Sequence, residues 1–357
     1  MGTKLNLHEK RVTRLTGNER TVLKLLLRNG RISDVEIGDK LKITSQGVSK
    51  IRRKLKDIGI IKDYCIELDP SSLGINTFAL VMLEISPIGI VEEINKLMSG
   101  NLIGFYKICK NDITHIALFA FRNLDELDEY FNSLHFEHSE YVKIRNIYVF
   151  PINGLLKHSS SKLFCSILNE FGKENMPMPP ILTYYTKEKS KNNVVKLSTN
   201  EKNILKSLIK DCRTSYAKIT SGLNNLSITG GGVRKIVMRL ENKGVINGFS
   251  VNLSYEKLGI SIFAFIFLKK QSSYWKLKDG LCKLADKSYN VIGCYRLNED
   301  CLHVLFCGFR SLEELENYHH QLQFKNKGLL EIDKIYLASN RGIIRNSPLD
   351  LFNTVLR

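Results

Sequence analysis

Apolar residues recur at helical spacing near the start of the chain, and an alternating pattern follows them. Residues 18–28 place apolar side chains on one face of a helix. Ser33 is placed to cap a second helix, and Thr44 to cap a third helix that ends at Gly59. The segment 60–68 then alternates like a strand. This order predicts a helix-turn-helix unit followed by a strand that would form a wing.

The third predicted helix has an apolar face and a basic face. Its buried stripe follows helical spacing and consists of Val48, Ile51, Leu55 and Ile58. Five basic residues and one acidic residue lie between Thr44 and Ile58. Such a helix fits the major groove, where polar residues near its start reach base edges and basic residues hold phosphates. We therefore predict DNA contacts from Thr44, Ser45, Gln46, Ser49, Lys50, Arg52, Arg53 and Lys56.

The same pattern returns in the second half of the chain. Gly47–Tyr64 matches Gly232–Phe249, and His115–Tyr130 matches His303–Tyr318. The offset between the halves drifts from 182 to 188 while the order of matches never changes. A basic helix face is often merely solvated, but the recurrence of the whole arrangement favours DNA binding. The chain is therefore predicted to be a tandem duplication of a two-part unit.

The two winged helix-turn-helix units, called the first head (16–68) and the second head (197–253), are not equal copies. In the second head the recognition helix is predicted at 229–243, with DNA contacts from Thr229, Arg234, Lys235 and Arg239. Three glycines follow Thr229. They have no side chain to read bases, and each weakens a helix by about 1 kcal/mol. We expect the first head to read sequence and the second to hold the DNA backbone.

The second part of each unit has a different pattern. Residues 77–150 are predicted to form strand, helix, strand, strand, helix and strand, the order of a ferredoxin-like βαββαβ domain. Helices cover one face of such a sheet and leave the other face open. Two copies in one chain can cover each other and make an internal pseudo-dimer.

These patterns predict an α+β fold, a tandem repeat of winged helix-turn-helix and ferredoxin-like domain. The boundaries follow from the repeat and from runs of serine, proline and lysine between the units. They are first head 16–68, ferredoxin-like domain 73–150, linker 151–196, second head 197–253, ferredoxin-like domain 258–339 and C-terminal tail 340–357. Within the linker, 162–171 is predicted to form one amphipathic helix.

Charge indicates the class of partner. The chain has 53 basic and 36 acidic residues, a net charge of +17, which favours a polyanion such as double-stranded DNA. No apolar stretch approaches the roughly 20 residues of a membrane helix, and the first residues lack the apolar core of a signal peptide. We therefore expect a cytoplasmic protein with no membrane partner.

The sequence offers little sign of catalytic or cofactor chemistry. Its eight cysteines are scattered without a CxxC pair. Four neighbouring side chains in an apolar, strand-like region are expected to pack rather than bind metal: Cys294, Cys301, His303 and Cys307. We expect no cofactor, no metal and no enzymatic activity.

On these residues the chain resembles the Lrp/AsnC family of transcription regulators. The resemblance covers about 16–150 and 197–339, and its most specific stretches are Asn18–Ser33 and Gly47–Ile75. That family joins a winged helix-turn-helix to a ferredoxin-like sensor domain called RAM. The resemblance implies recognition helices at 44–58 and 229–243, homo-oligomers formed through RAM domains and a small-molecule effector.

The sequence departs from the family pattern in two respects. Family members usually carry one unit, whereas this chain carries two. The family also tends to have a Gly-x-x-Asp turn after the second sensor strand, and that glycine position falls near Lys110 and Glu299. These side chains would alter or fill the usual effector pocket, so the residues do not specify an effector.

Two alternatives to a sequence-specific regulator stay open. An architectural, chromatin-type protein would coat DNA with little sequence preference, aided by Lys187, Lys189 and Lys191. Some proteins with this two-part layout resemble sirohaem decarboxylases. An enzyme of that kind would use two duplicated pairs of residues, His115 with His303 and Tyr106 with Tyr295. Packing alone also explains such duplicated strand residues.

Overall fold

The computed structural model describes residues 13–108, 113–170, 194–222, 228–271, 288–297, 301–325, 327–346, 352 and 356. Helices and strands of the first half alternate in the predicted order. They are α1 (Gly17–Arg28), α2 (Asp34–Leu41), α3 (Ser45–Asp57), β1 (Ile61–Leu68), β2 (Thr77–Ile85), α4 (Val91–Leu97), β3 (Leu102–Lys107), β4 (His115–Phe121), α5 (Leu124–His138), β5 (Val142–Pro151), β6 (Leu155–His158) and α6 (Ser161–Glu170).

The second half follows the same order within the described residues. Its elements are α7 (Thr199–Lys210), α8 (Tyr216–Gly222), α9 (Gly230–Asn242), β7 (Ile246–Leu253), β8 (Ile262–Lys270), β9 (Val291–Arg296), β10 (Cys301–Phe309), α10 (Leu312–Lys325), β11 (Leu330–Ser339) and β12 (Ile343–Asn346). The predicted α+β fold class is confirmed. In the part of the chain that is described, no helix is both long and apolar enough to cross a bilayer.

Side-chain caps explain where the head helices begin. Thr16, Ser33 and Ser198 each accept from the backbone N–H three residues on, and a glutamate at that position bonds back to the cap. Thr44 Oγ1 accepts from Gly47 N at 3.1 Å, and Thr229 Oγ1 from Gly232 N at 3.3 Å. The capping predicted for Ser33 and Thr44 is confirmed.

The strand predicted as a wing pairs across the two halves of the chain. β1 pairs antiparallel with β7 of the other half and forms a two-stranded ladder, which we call the central ladder. Cys65 lies opposite Ser250, and these residues are counterparts in the repeat, so the pseudo-twofold axis passes between them. The strand predicted after α3 is confirmed, and within the described residues its partner is the equivalent strand of the other head. A strand must pair its backbone groups, and the other head supplies the partner.

Two five-stranded sheets carry the ferredoxin-like order. One is β12-β3-β4-β2-β5 and the other is β11-β8-β10-β9-β6. In each sheet, four strands come from one half of the chain and one edge strand comes from the other half: β12 in the first sheet and β6 in the second. We call β6 and β12 the exchanged strands. The segments predicted as linker and tail thus begin with strands of the fold, and α6 occupies the helix predicted at 162–171, while 171–193 lie outside the described residues.

The open faces of the two sheets pack against each other, as the pseudo-dimer prediction expects. Ring centroids of Tyr106 and Phe265 lie 5.0 Å apart, and those of Phe150 and Tyr295 lie 5.7 Å apart. One apolar cluster runs continuously through both heads and both facing sheets. The other faces have separate clusters under the helices. The heads are therefore mounted on a shared core.

Candidate nucleic-acid interface

The first head holds α3 by its apolar stripe and leaves the opposite face open. Val48 and Leu55 are fully buried, and Ile51 and Ile58 are half-buried against the same core. Lys42 turns the chain between α2 and α3 in the left-handed region, with φ of 56°. The face opposite the stripe therefore points away from the core.

Most predicted contact residues of α3 lie on this outward face. Those with exposed side chains are Thr44, Ser45, Gln46, Lys50, Arg53 and Lys56, and Ser49 is half-buried beside them. The hydroxyl and amide groups cluster at the start of the helix and the cations further along. That arrangement provides base-edge donors and acceptors first and phosphate ligands afterwards.

Arg52 differs from its neighbours. Its guanidinium binds the Asp34 carboxylate at 2.6 and 2.7 Å and reaches Tyr64 Oη at 3.4 Å. Burial opposes its charged form, but the hydrogen bonds to Asp34 and Tyr64 outweigh that effect and raise the pKa of Arg52. The structure thus places Arg52 between α2 and α3, away from the outward face on which it was predicted to act.

In each recognition helix, one cation is paired with the glutamate of the capping box of that head's first helix, α1 or α7. Lys54 Nζ lies 2.7 Å from Glu19 Oε1, and Arg239 Nη2 lies 3.0 Å from Glu201 Oε1. Burial would raise the pKa of Glu19, but the bonds from Lys54 and the Thr16 N–H outweigh it and lower that pKa. Arg239, predicted to contact DNA, is therefore held against α7, although half of its side chain stays exposed.

The second head presents a plainer surface. The other residues predicted to contact DNA there, Thr229, Arg234 and Lys235, are exposed on α9. Gly230 and Gly231 occupy the positions of Ser45 and Gln46, and Met238, 51% exposed, occupies that of Arg53. The start of α9 therefore carries fewer hydrogen-bonding side chains than the start of α3.

Two arginines join the heads reciprocally. Arg31 donates to the backbone oxygens of Cys212 and Thr214 in the second head. Its counterpart Arg213 donates to the oxygens of Gly30 and Ile32 in the first head at 2.8 and 2.9 Å. Arg31 also lies 4.4 Å from the Tyr216 ring centroid, and Arg213 lies 3.4 Å from Asp34. These contacts fix the heads relative to each other.

Sequence comparisons agree with a DNA-binding helix-turn-helix in the first head. A family profile described as "Winged helix-turn-helix DNA-binding" matches residues 15–62. An HTH-type transcriptional regulator of Pyrococcus horikoshii is 29% identical over 42% of this chain and 93% of its own length. Another from Pyrococcus furiosus is 31% identical over 33% of this chain and 76% of its own. The regulator LrpB of Bacillus subtilis is 42% identical over 17% of this chain and 40% of its own.

The chain belongs to the Lrp/AsnC family of transcriptional regulators. Among solved structures, the siroheme decarboxylase NirDL is similar to this family member over 95% of the chain and 98% of its own length, with a TM-score of 0.57 and 11% identity. An identity this low shows a shared fold and leaves the activity of NirDL with NirDL.

Sequence reasoning missed the residues that connect the halves of this Lrp/AsnC protein. Arg31 and Arg213 occupy equivalent positions in the repeat, but repetition alone does not reveal a contact across the pseudo-twofold axis. The Gly-x-x-Asp region around Lys110 and Glu299 lies outside the described residues, as do Lys187, Lys189 and Lys191. Within the described residues, no three His, Cys, Asp or Glu side chains gather as metal ligands would.

Proposed function

We propose that one chain of this regulator presents both recognition helices to a single DNA site as an internal pseudo-dimer. The observation that carries the proposal is the outward, basic and hydroxyl-rich face of α3, repeated with fewer side chains on α9. In the family's usual form, two chains would be needed to supply two heads. Here the central ladder and the reciprocal arginines join the heads within one chain.

The residues divide by role. In α3, Thr44, Ser45, Gln46 and Ser49 read base edges, and Lys50, Arg53 and Lys56 bind phosphates. In α9, Thr229, Arg234 and Lys235 hold the backbone of the second half-site. Arg52 and Arg239 act indirectly, through Asp34 and Glu201. Because the heads differ, we expect an imperfect palindrome whose half-sites lie about one helical turn, roughly 10 bp, apart.

Assembly beyond one chain is part of the proposal. The open faces of the two sheets already cover each other. A homo-oligomer would then use other surfaces, and we propose the helix-bearing faces of the sheets. Leu124 and its counterpart Leu312 are each 57% exposed on those helix-bearing faces. Light scattering of the purified chain with Leu124→Glu and Leu312→Glu would show whether the oligomer depends on that surface.

Selection of bound fragments from genomic or random DNA tests the proposal. We expect a preferred site bound about a thousandfold better than random DNA. Gln46→Ala should relax preference at one position, whereas Lys50→Ala should weaken all sites and reduce the salt slope by about one. Lys96→Ala removes an exposed charge from α4 and serves as the matched control.

Other outcomes identify the alternatives. Equal and steeply salt-dependent binding to every sequence would establish the architectural role instead. The absence of enzymatic activity is likewise a proposal. A change in the absorption spectrum on adding a sirohaem-type tetrapyrrole, followed by loss of its carboxyl groups, would contradict it.

A further inference from the structure

A cavity lies between the central ladder and the exchanged strands. Its volume is about 310 Å³. On the ladder side it is lined by Asp63, Cys65, Glu67, Ser250 and Asn252. On the other side lie the ends of β6 and β12 with the start of α6, including His158 and Asn346. The cavity is thus built where the two halves of the duplication meet, apart from the outward faces of α3 and α9.

Equivalent residues of the two halves differ at this cavity. Residues 63 and 67 of β1 correspond to 248 and 252 of β7, so the ladder contains two related cross-strand pairs. In one pair Asp63 faces Asn252, whose Nδ2 donates to Asp63 Oδ1 at 2.5 Å. In the other pair Glu67 faces Gly248. Because glycine has no side chain, the second pair leaves a carboxyl group where the first has a closed hydrogen bond.

The carboxyl group of Glu67 lacks a hydrogen-bond donor at one of its oxygens. Its Oε2 is shielded from solvent and has no hydrogen-bond partner among the described residues. Burial raises the pKa of Glu67 to about 7, so a group that supplies N–H donors and positive charge would restore its ionised form. A carboxylate with a shielded oxygen and no such partner is costly.

Several other polar groups around the cavity already have hydrogen-bond partners. His158 Nδ1 lies 3.0 Å from Tyr295 Oη, and Tyr106 Oη donates to Asn346 Oδ1 at 2.9 Å. The Arg345 guanidinium donates to Leu102 O at 3.4 Å. Lys62, which also lines the cavity, is exposed. The lining carries two carboxyl groups, Asp63 and Glu67, and two cations, Lys62 and Arg345. Asp63 is bonded to Asn252, so Glu67 is the carboxyl group that still has an oxygen without a partner. Phe164, Ile292 and Ile343 supply apolar wall for an alkyl group.

We propose that this cavity binds a small organic amine, with its ammonium group paired to Glu67 and its alkyl part against the apolar wall. A charge-assisted hydrogen bond to a buried carboxylate is the strong form of this contact. A metal ion fits less well, because no three metal-binding side chains converge among the described residues. The inference is independent of the proposed DNA function, since it is tested by binding alone.

Calorimetry and thermal unfolding of the full chain provide the test. The probes are putrescine and butylamine, with 1,4-butanediol as the neutral control and succinate as the anionic control. We expect saturable binding and a raised unfolding temperature with putrescine and butylamine, and neither effect with 1,4-butanediol or succinate. Glu67→Gln should weaken amine binding about tenfold or more, while Glu92→Gln, which removes an exposed carboxylate on α4, should leave it unchanged.

A second variant protects the test against misfolding of the first. Gly248 does not have a positive φ, so Gly248→Asn can place an amide opposite Glu67 without backbone strain, as Asn252 stands opposite Asp63. It should raise the unfolding temperature and abolish amine binding. Binding that is unchanged by both variants, succinate binding in place of amine binding, or no saturable binding of either amine would each overturn the proposal.

Discussion

At the scale of single residues, two adjacent arginines of α3 have opposite roles. Arg52 is one-fifth exposed and binds Asp34 with two short hydrogen bonds, whereas Arg53 is exposed. We predict that Arg52→Ala lowers the free energy of unfolding by about 1–3 kcal/mol, because it leaves Asp34 short of its partner. Arg53→Ala should leave stability unchanged and weaken DNA binding. Urea unfolding and DNA titration of both variants measure the two effects.

The opposite result would reassign both residues. If Arg52→Ala unfolds like the wild type while losing DNA affinity, Arg52 leaves Asp34 to bind phosphate. Arg52→Lys is a useful intermediate, because lysine keeps the charge but loses the planar fork that binds a carboxylate through two bonds. We expect it to recover only part of the lost stability.

Glu67 predicts a pH dependence of stability. Its folded-state pKa of about 7 lies above the ordinary value of 4.5, so its contribution is fully present below 4.5 and is lost as pH rises through about 7. The stability of the wild type relative to Glu67→Gln should therefore fall by about 1–3 kcal/mol between roughly pH 5 and pH 8. Nearby Lys62, Asp63, Cys65, His158 and Arg345 are common to both proteins and cancel in this difference. A difference that is flat with pH would contradict the prediction.

The sequence predicted exposure better than pairing. Helical spacing separates the buried stripe of α3 from its polar face, so six of the eight predicted contacts on α3 are exposed there. Spacing cannot show that Arg52 has a carboxylate from α2 within reach, or that Glu67 faces a glycine from β7. Those facts depend on side chains that are brought together by tertiary contacts.

At the scale of elements, each exchanged strand depends on a glycine that lies close to a backbone oxygen of another strand. Gly154 and its counterpart Gly342 precede β6 and β12. A Cβ on Gly154 would lie 2.6 Å from Arg296 O, and one on Gly342 would lie 2.7 Å from Lys107 O. Backbone oxygens cannot move aside as a flexible side chain can. We predict that Gly154→Ala and Gly342→Ala each destabilise the protein by about 1–3 kcal/mol, measured by thermal unfolding.

Gly17→Ala is the matched control, since a Cβ there would meet nothing within 4 Å. Hydrogen exchange adds an independent readout. Amides of β3 should lose protection in Gly342→Ala and those of β9 in Gly154→Ala, because those strands would become sheet edges. If both variants lose protection uniformly across the protein, the exchanged strands β6 and β12 do not specifically protect β9 and β3.

Element boundaries were accessible from sequence, but the exchange was not. Caps and apolar periodicity are local signals, and they predict the starts of α2 and α3 and the order of the elements in 77–150. The partner of β12 is β3, more than 200 residues earlier in the chain, and no local pattern records that pairing. The repeat did contain a clue, because Gly154-Leu155-Leu156-Lys157 matches Gly342-Ile343-Ile344-Arg345.

At the scale of the whole molecule, the fixed geometry of the heads should govern which operators the chain binds. The central ladder sets their positions, and Arg31 and Arg213 each bond the loop of the opposite head. A rigid pair of heads can contact two half-sites only when both face the same side of the duplex. Adding half a helical turn between them, about 5 bp, should reduce affinity by about a hundredfold or more, to that of one head.

Loosening the joint should relax this requirement. We predict that Arg31→Ala combined with Arg213→Ala narrows the affinity gap between the selected operator and its 5-bp insertion variant about tenfold or more, because the heads are then joined by fewer contacts and can tilt about the central ladder. Fluorescence anisotropy with both duplexes measures the gap. Arg122→Ala combined with Arg310→Ala removes the same charge from exposed, equivalent positions beside the helices of the sheets and should leave the gap unchanged. If the wild type binds both spacings equally, the heads act separately and the internal pseudo-dimer is not the DNA-binding unit.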